Sequence, residues 1–147
     1  MPRLNLKLFG AFEARLADGA ARTLPAKGQA LLAYLALHPE QALSREKLAA
    51  LLWGDMGNER ALRNLRHTVF TIRKAMGDRL TPIVTDGHGL RLEPAIVSVD
   101  ALEFERLIAE NATPDSLRAA AALYTGDLLE GLRMSEPPFE EWLSSPY

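Results

Sequence analysis

Across residues 58–77 an apolar side chain returns every three or four positions: Leu62, Leu65, Val69, Ile72 and Met76. That period lays one apolar stripe along a helix of residues 59–76. Asn58 is a residue type suited to cap its start, and Gly77 stands where a left-handed residue would end it. Opposite the stripe the spacing places Arg60, Arg63, His67 and Lys74, with Asn64 and Thr71 close by and Arg66 on one flank.

The patterns around this helix predict the rest of a small domain. Leu4, Leu6 and Leu8 alternate with polar residues, as in a half-buried strand, and Phe12, Ala14 and Leu16 repeat the alternation. Asp18-Gly19 then signals a hairpin into a short strand over residues 22–24. Pro25 opens a helix carrying Leu31, Leu32 and Leu35 and closed by Pro39. Ser44 caps a second helix, residues 45–52, with Leu48, Leu51 and Leu52 inward and Glu46 in its first turn. After the long helix, Ile83-Val84-Thr85 and Leu90-Arg91-Leu92 flank Asp86-Gly87-His88-Gly89, a hairpin with a Gly-rich tip.

Three helices and then a hairpin is the order of a winged helix-turn-helix. The expected fold class is therefore α+β: an N-terminal antiparallel sheet, a three-helix core and a C-terminal hairpin wing, followed by an all-α extension. The boundary is placed at residue 97. In residues 98–147, Asp100 and Glu103 form a start like a capping box, and Thr113-Pro114 begins another helix.

Charge is distributed unevenly along the chain. The whole carries a formal −2, but residues 1–92 hold 14 Lys/Arg against 8 Asp/Glu, or +6, and residues 93–147 hold 3 against 11, or −8. A basic binding unit joined to an acidic one has this asymmetry. Within the long helix the arginines also sit at the wrong end. A helix N-terminus carries partial positive charge, so Arg60 and Arg63 each cost about 0.3–1 kcal/mol. Arg60, Arg63 and Arg66 repel one another at a spacing of three, by roughly 0.2–0.5 kcal/mol per pair. Glu59 offsets part of this if it pairs with Arg63. Either the face is solvated and merely rich in arginine, or an anion lies across it, and DNA phosphates and guanine edges are such anions. His88 and Arg91 are the candidates on the wing. Ser44 and Arg45 either cap their helix in the ordinary way or hold a phosphate at its start.

Other chemistries are excluded. There is no cysteine, and His38, His67 and His88 lack metal-ligand spacing. No phosphate-cradling Gly motif or nucleophile elbow occurs, so neither an enzyme nor a cofactor is expected. No stretch approaches the ~20 apolar residues of a membrane span, and the N-terminus has no secretory apolar region, which makes the cytoplasm the expected location.

Several segments together resemble the SARP-type bacterial transcriptional regulators. They are LNLKLFG at the start, KGQALLAYLAL, LSREKLAALLWGD, and ALRNLRHTVFTIRKAMGD followed by GLRLE. The motifs Leu52-Trp53-Gly54-Asp55, Asn64-Leu65-Arg66 and Ile72-Arg73-Lys74-Ala75-Met76-Gly77-Asp78 carry most of the likeness. The stretch from Val99-Asp100 through LYTGDLLEGL to FEEWL resembles the start of the bacterial transcriptional activator domain of that family. The resemblance implies an OmpR-type winged helix that binds double-stranded promoter DNA, commonly as head-to-tail pairs on direct repeats. It also implies that the loop of residues 53–58 touches RNA polymerase, with Asp55 and Met56 as the contacts; Trp53, directly after Leu51 and Leu52, is expected to anchor the core. Gly54 departs from the family's frequent proline. The activator domain stops short at Tyr147, as in an N-terminal fragment.

On this reading Arg60, Arg63, Asn64 and His67 face bases and nearby phosphates, while Arg66, Thr71, Lys74 and Arg91 hold backbone. Two alternatives remain: a winged helix used only as a protein-interaction adaptor, and the regulatory domain of a longer signalling enzyme. Leu117, Ala120, Ala121 and Tyr124, with Leu128, Leu129 and Leu132, form an apolar group expected to lack cover and to drive self-association.

Overall fold

In the computed structural model, which describes residues 3–39, 41–77, 80–109, 111–132 and 134–144, the chain forms seven strands and six helices among those residues. In order they are β1 Leu4–Lys7, β2 Glu13–Leu16, β3 Ala21–Arg22, α1 Ala26–Ala36, β4 Leu43–Ser44, α2 Arg45–Leu52 and α3 Asn58–Met76. There follow β5 Ile83–Asp86, β6 Gly89–Leu92, β7 Val97–Val99, α4 Asp100–Leu107, α5 Pro114–Leu123 and α6 Pro137–Leu143. Asp78, the last residue of one quoted motif, lies outside the described residues. No described helix is long and apolar enough to cross a membrane.

The chain divides into two compact units, residues 1–23 with 94–132 and residues 24–93 with 133–147. This partition differs from the expected boundary at residue 97. The cause lies in the first unit. Its sheet runs β3-β2-β1-β7, and β7 pairs parallel with β1, Leu4 opposite Val97 and Leu6 opposite Val99. The alternation read from the sequence is there: Leu4, Leu6 and Leu8 are buried and β2 runs antiparallel to β1. The extension is thus not entirely helical, since β7 precedes its first helix.

Asp100 departs from its expected capping role. Val99 occupies the N-cap of α4, and the Asp100 carboxylate accepts the backbone N–H groups of Leu8 (2.8 Å) and Phe9 (3.1 Å). It ties the end of β1 to the start of α4. Thr113 caps α5 as expected: its hydroxyl accepts from the Ser116 N–H at 3.0 Å, and Ser116 returns the bond at 2.8 Å. The apolar group expected to lack cover is partly covered. Phe9 bridges to Leu128, and the Leu129 N–H donates to the Leu8 carbonyl at 2.7 Å, so Leu129 and Ala120 are buried. Leu117 and Tyr124 stay half exposed, although Tyr124 packs its ring 4.9 Å from that of Phe9.

The second unit holds the three-helix core and the wing. Leu31, Leu32 and Leu35 of α1, Leu48 and Leu52 of α2, and Ala61, Leu65, Val69, Ile72 and Met76 of α3 are buried together. Leu62 is only half-buried, at the margin of the stripe, where Ala61 takes the inward position. Gly57, not Asn58, caps α3; Asn58 is already helical, and no side chain bonds the cap. Gly77 has φ +94° and ψ 160°, a conformation open to glycine but outside the left-handed helical well expected there. Ser44 caps α2 as expected, its hydroxyl accepting the Lys47 N–H at 3.0 Å. The hairpin forms from β5 and β6 and joins β4 in a sheet ordered β4-β6-β5. β4 was not foreseen; two residues leave no periodic signal.

The unit is completed by residues 134–144. Glu136 is buried; its carboxylate accepts from Lys27 Nζ at 3.0 Å and from the Gly54 N–H at 3.1 Å. Lys27 also donates to the Leu52 carbonyl and lies 5.1 Å from the Trp53 ring centroid. The glycine departure now has a physical reason. A Cβ at Gly54 would come within 2.9 Å of the Ala50 carbonyl oxygen, and a proline would have no N–H for Glu136.

Candidate nucleic-acid interface

α3 exposes five cations on its outer side: Arg60, Arg63, Arg66, Arg73 and Lys74. None of them forms an ion pair with a carboxylate among the described residues. The Glu59–Arg63 pair anticipated from their spacing does not form there. The unfavourable charge at the start of α3 therefore keeps no carboxylate contact to relieve it. His67 is exposed on the same side.

Recesses flank this face. On one side a cavity of about 460 Å³ is lined by Arg66, Arg73 and Phe70 of α3, Arg45 and Glu46 of α2, and Thr85, His88 and Leu90 of the wing, with Leu62, Leu65 and Val69 completing its apolar lining. Arg45 reaches Thr85 Oγ1 at 3.4 Å, and the Arg45 N–H donates to the His88 carbonyl at 3.3 Å, joining the start of α2 to the wing tip. Arg73 donates to the Ile83 carbonyl at 3.2 Å, which ties the end of α3 to β5. On the other side a recess of about 320 Å³ is lined by Asn64, His67, Thr68 and Thr71 with Lys27 and Trp53.

The predicted site residues do not all share one surface. Arg60, Arg63, His67 and Lys74 share the open face of α3, and Arg66, Arg45 and His88 gather round the larger cavity. Asn64 and Thr71 are half-buried and already bonded: Asn64 donates to the Met56 sulfur at 3.0 Å and Thr71 to the His67 carbonyl at 3.0 Å. Ser44 spends its oxygen on the helix cap. Arg91 stands apart. It pairs with Asp86 at 3.4 Å and Glu93 at 3.4 Å, and strand alternation turns it away from Leu90 and Thr85, which line the cavity. In the loop, Trp53 is buried as a core anchor, Asp55 is exposed and Met56 is half-buried against Asn64.

Sequence reasoning passed over Phe70, which lies on the exposed side of α3 with 58% of its surface open. Its signal was present as the one large apolar residue outside the stripe. Arg73, a last-turn cation that complements the helix dipole, also braces the wing.

Residues 19–89 match the family model described as "Transcriptional regulatory protein, C terminal". That segment runs from the first hairpin turn to the start of β6 and includes the whole of α3. Among curated proteins nothing matches. Among solved structures the chain is similar in fold to "Mycobacterium tuberculosis EmbR in complex with low affinity phosphopeptide", with TM-score 0.73 and 22% sequence identity. The likeness covers 97% of this chain and spans 41% of that one; at this identity it is a likeness of fold. The transcriptional-regulator match and the winged-helix architecture thus coincide on the segment that bears the unpaired cations.

Proposed function

We propose that the chain binds double-stranded DNA sequence-specifically as the output of a transcriptional regulator, with α3 in the major groove and the β5–β6 hairpin beside it. The observation that carries this reading is the row of five exposed α3 cations without carboxylate partners among the described residues. Its members at the start of the helix, Arg60, Arg63 and Arg66, oppose the dipole or one another, and phosphates relieve that cost. Arg60, Arg63 and His67 reach bases and adjacent phosphates, and Lys74 meets backbone. Arg66, Arg45 and His88 form an anionic-backbone cradle between α2, α3 and the wing. Arg91 contributes less, since a phosphate has to compete with Asp86 and Glu93.

Residues 1–97 serve on this proposal as the DNA-binding part and residues 98–147 as the start of an activator domain, a functional division and not one of packing. Binding in head-to-tail pairs, and contact of Asp55 with RNA polymerase, rest on the resemblance to the SARP-type regulators. A winged helix used as a protein adaptor has no use for unpaired arginines at a helix start. The test is selection of a preferred duplex from a randomised pool, followed by titration against it and against a scrambled duplex. Tighter binding to the selected duplex is expected. Absence of binding to either duplex at low salt contradicts the reading.

A further inference from the structure

Phe70 is the anomaly on the cationic face. The residue is 58% exposed, although burying a phenyl ring is among the larger gains a side chain offers. On a helix the surface neighbours of a residue lie three and four positions away. For Phe70 these are Arg66, His67, Arg73 and Lys74, three cations and a histidine. Lys74 Nζ lies 5.5 Å from the ring centroid, and Arg66 and Arg73 line the same cavity as the ring. A partner that covers Phe70 must therefore be anionic around its edge and apolar at its centre.

A DNA major groove has that arrangement. Phosphates form its two walls, and the C5-methyl group of thymine is the apolar feature on its floor. We propose that Phe70 reads a thymine through that methyl group and so sets part of the sequence preference. This inference rests on the DNA-binding reading above. It also has a geometric consequence. At a rise of about 1.5 Å per residue, Phe70 lies roughly 10 Å along the helix from Arg63. Base pairs stack at about 3.4 Å. The thymine is thus expected within about three base pairs of the base that Arg63 contacts.

The test uses the full chain and its selected duplex, with each thymine replaced in turn by uracil, which lacks only the methyl group. At one or two positions uracil should weaken binding of the unaltered protein about fourfold, the equivalent of ~0.8 kcal/mol for one buried methyl-sized group. Phe70→Ala should bind the thymine and uracil duplexes equally at those positions. Its exposed side chain makes loss of fold avoidable, and circular dichroism checks this. If the duplex is bound but no uracil replacement matters, or if Phe70→Ala keeps the same discrimination, the inference fails while DNA binding stands. If no duplex is bound, the DNA-binding reading fails and this inference with it.

Discussion

The arginines of α3 and those of α4 and α5 keep opposite company. Arg106 donates to Glu103 three residues before it, with Nε to Oε2 at 3.0 Å, and Arg118 pairs with Asp115 at the same spacing. Arg60, Arg63 and Arg66 also recur at steps of three, but each has an arginine or the helix start where α4 and α5 supply a carboxylate. The same residue type is neutralised within one region and left open in the other. A surface that only needs solubility gains from the first arrangement. The second is a local cost that makes sense when an external anion completes it.

Ile72→Ala, at a fully buried position under the cationic face, should destabilise the protein by about 2–5 kcal/mol in urea unfolding. A near-neutral result would mean that α3 is not held by its stripe. Arg63→Ala should weaken binding to the selected duplex by about 1–3 kcal/mol more than to a scrambled one, if it pairs with a guanine. Arg118→Ala should leave both affinities unchanged; parallel losses would erase the contrast between the regions. In unfolding experiments without DNA the signs should reverse. Arg60→Ala should stabilise the fold by about 0.3–1 kcal/mol, whereas Arg106→Ala should destabilise it slightly.

The smallest effect depends on pH. The hydrogen bond from Arg106, and then burial and charge working in opposite directions, leave the Glu103 carboxyl below its ordinary range. A carboxylate whose folded pKa is depressed adds stability above its unfolded pKa, and this is lost as pH falls through the lower folded value. The small stability difference between the protein and its Glu103→Gln variant should accordingly be present near neutrality and fade in acid. Thermal unfolding at several pH values measures it, and a difference that persists at low pH would rule out the ion pair as its source.

What could be read from sequence was local. The α3 stripe, the Ser44 and Thr113 caps and the β5–β6 hairpin each lie within a few turns of chain, so periodicity and turn chemistry carry them. The rest depends on partners far away. β7 has three residues, and its partner is β1 at the other end of the first unit. Asp100 resembled a cap locally and answers instead to Leu8 and Phe9, about ninety residues earlier. Glu136 was unremarkable in an acidic stretch until Lys27, 109 residues away, closed on it. For the candidate site, the cationic face was legible because it is the complement of the stripe. The engagement of Arg91 by Asp86 was not, since it depends on hairpin register. Phe70 was overlooked because a single apolar residue breaks no period.

Whether the open arginines of α3 engage DNA phosphates and bases is measured by the salt dependence of duplex binding in paired variants. Each phosphate neutralised adds about −0.9 to the slope of log K against log salt. Replacing Arg66 or Lys74 by alanine should lower the steepness of that slope by about one each. Replacing Arg106 or Arg118 should leave it unchanged. A slope that is flat throughout, or that responds equally to variants in both regions, would contradict the account.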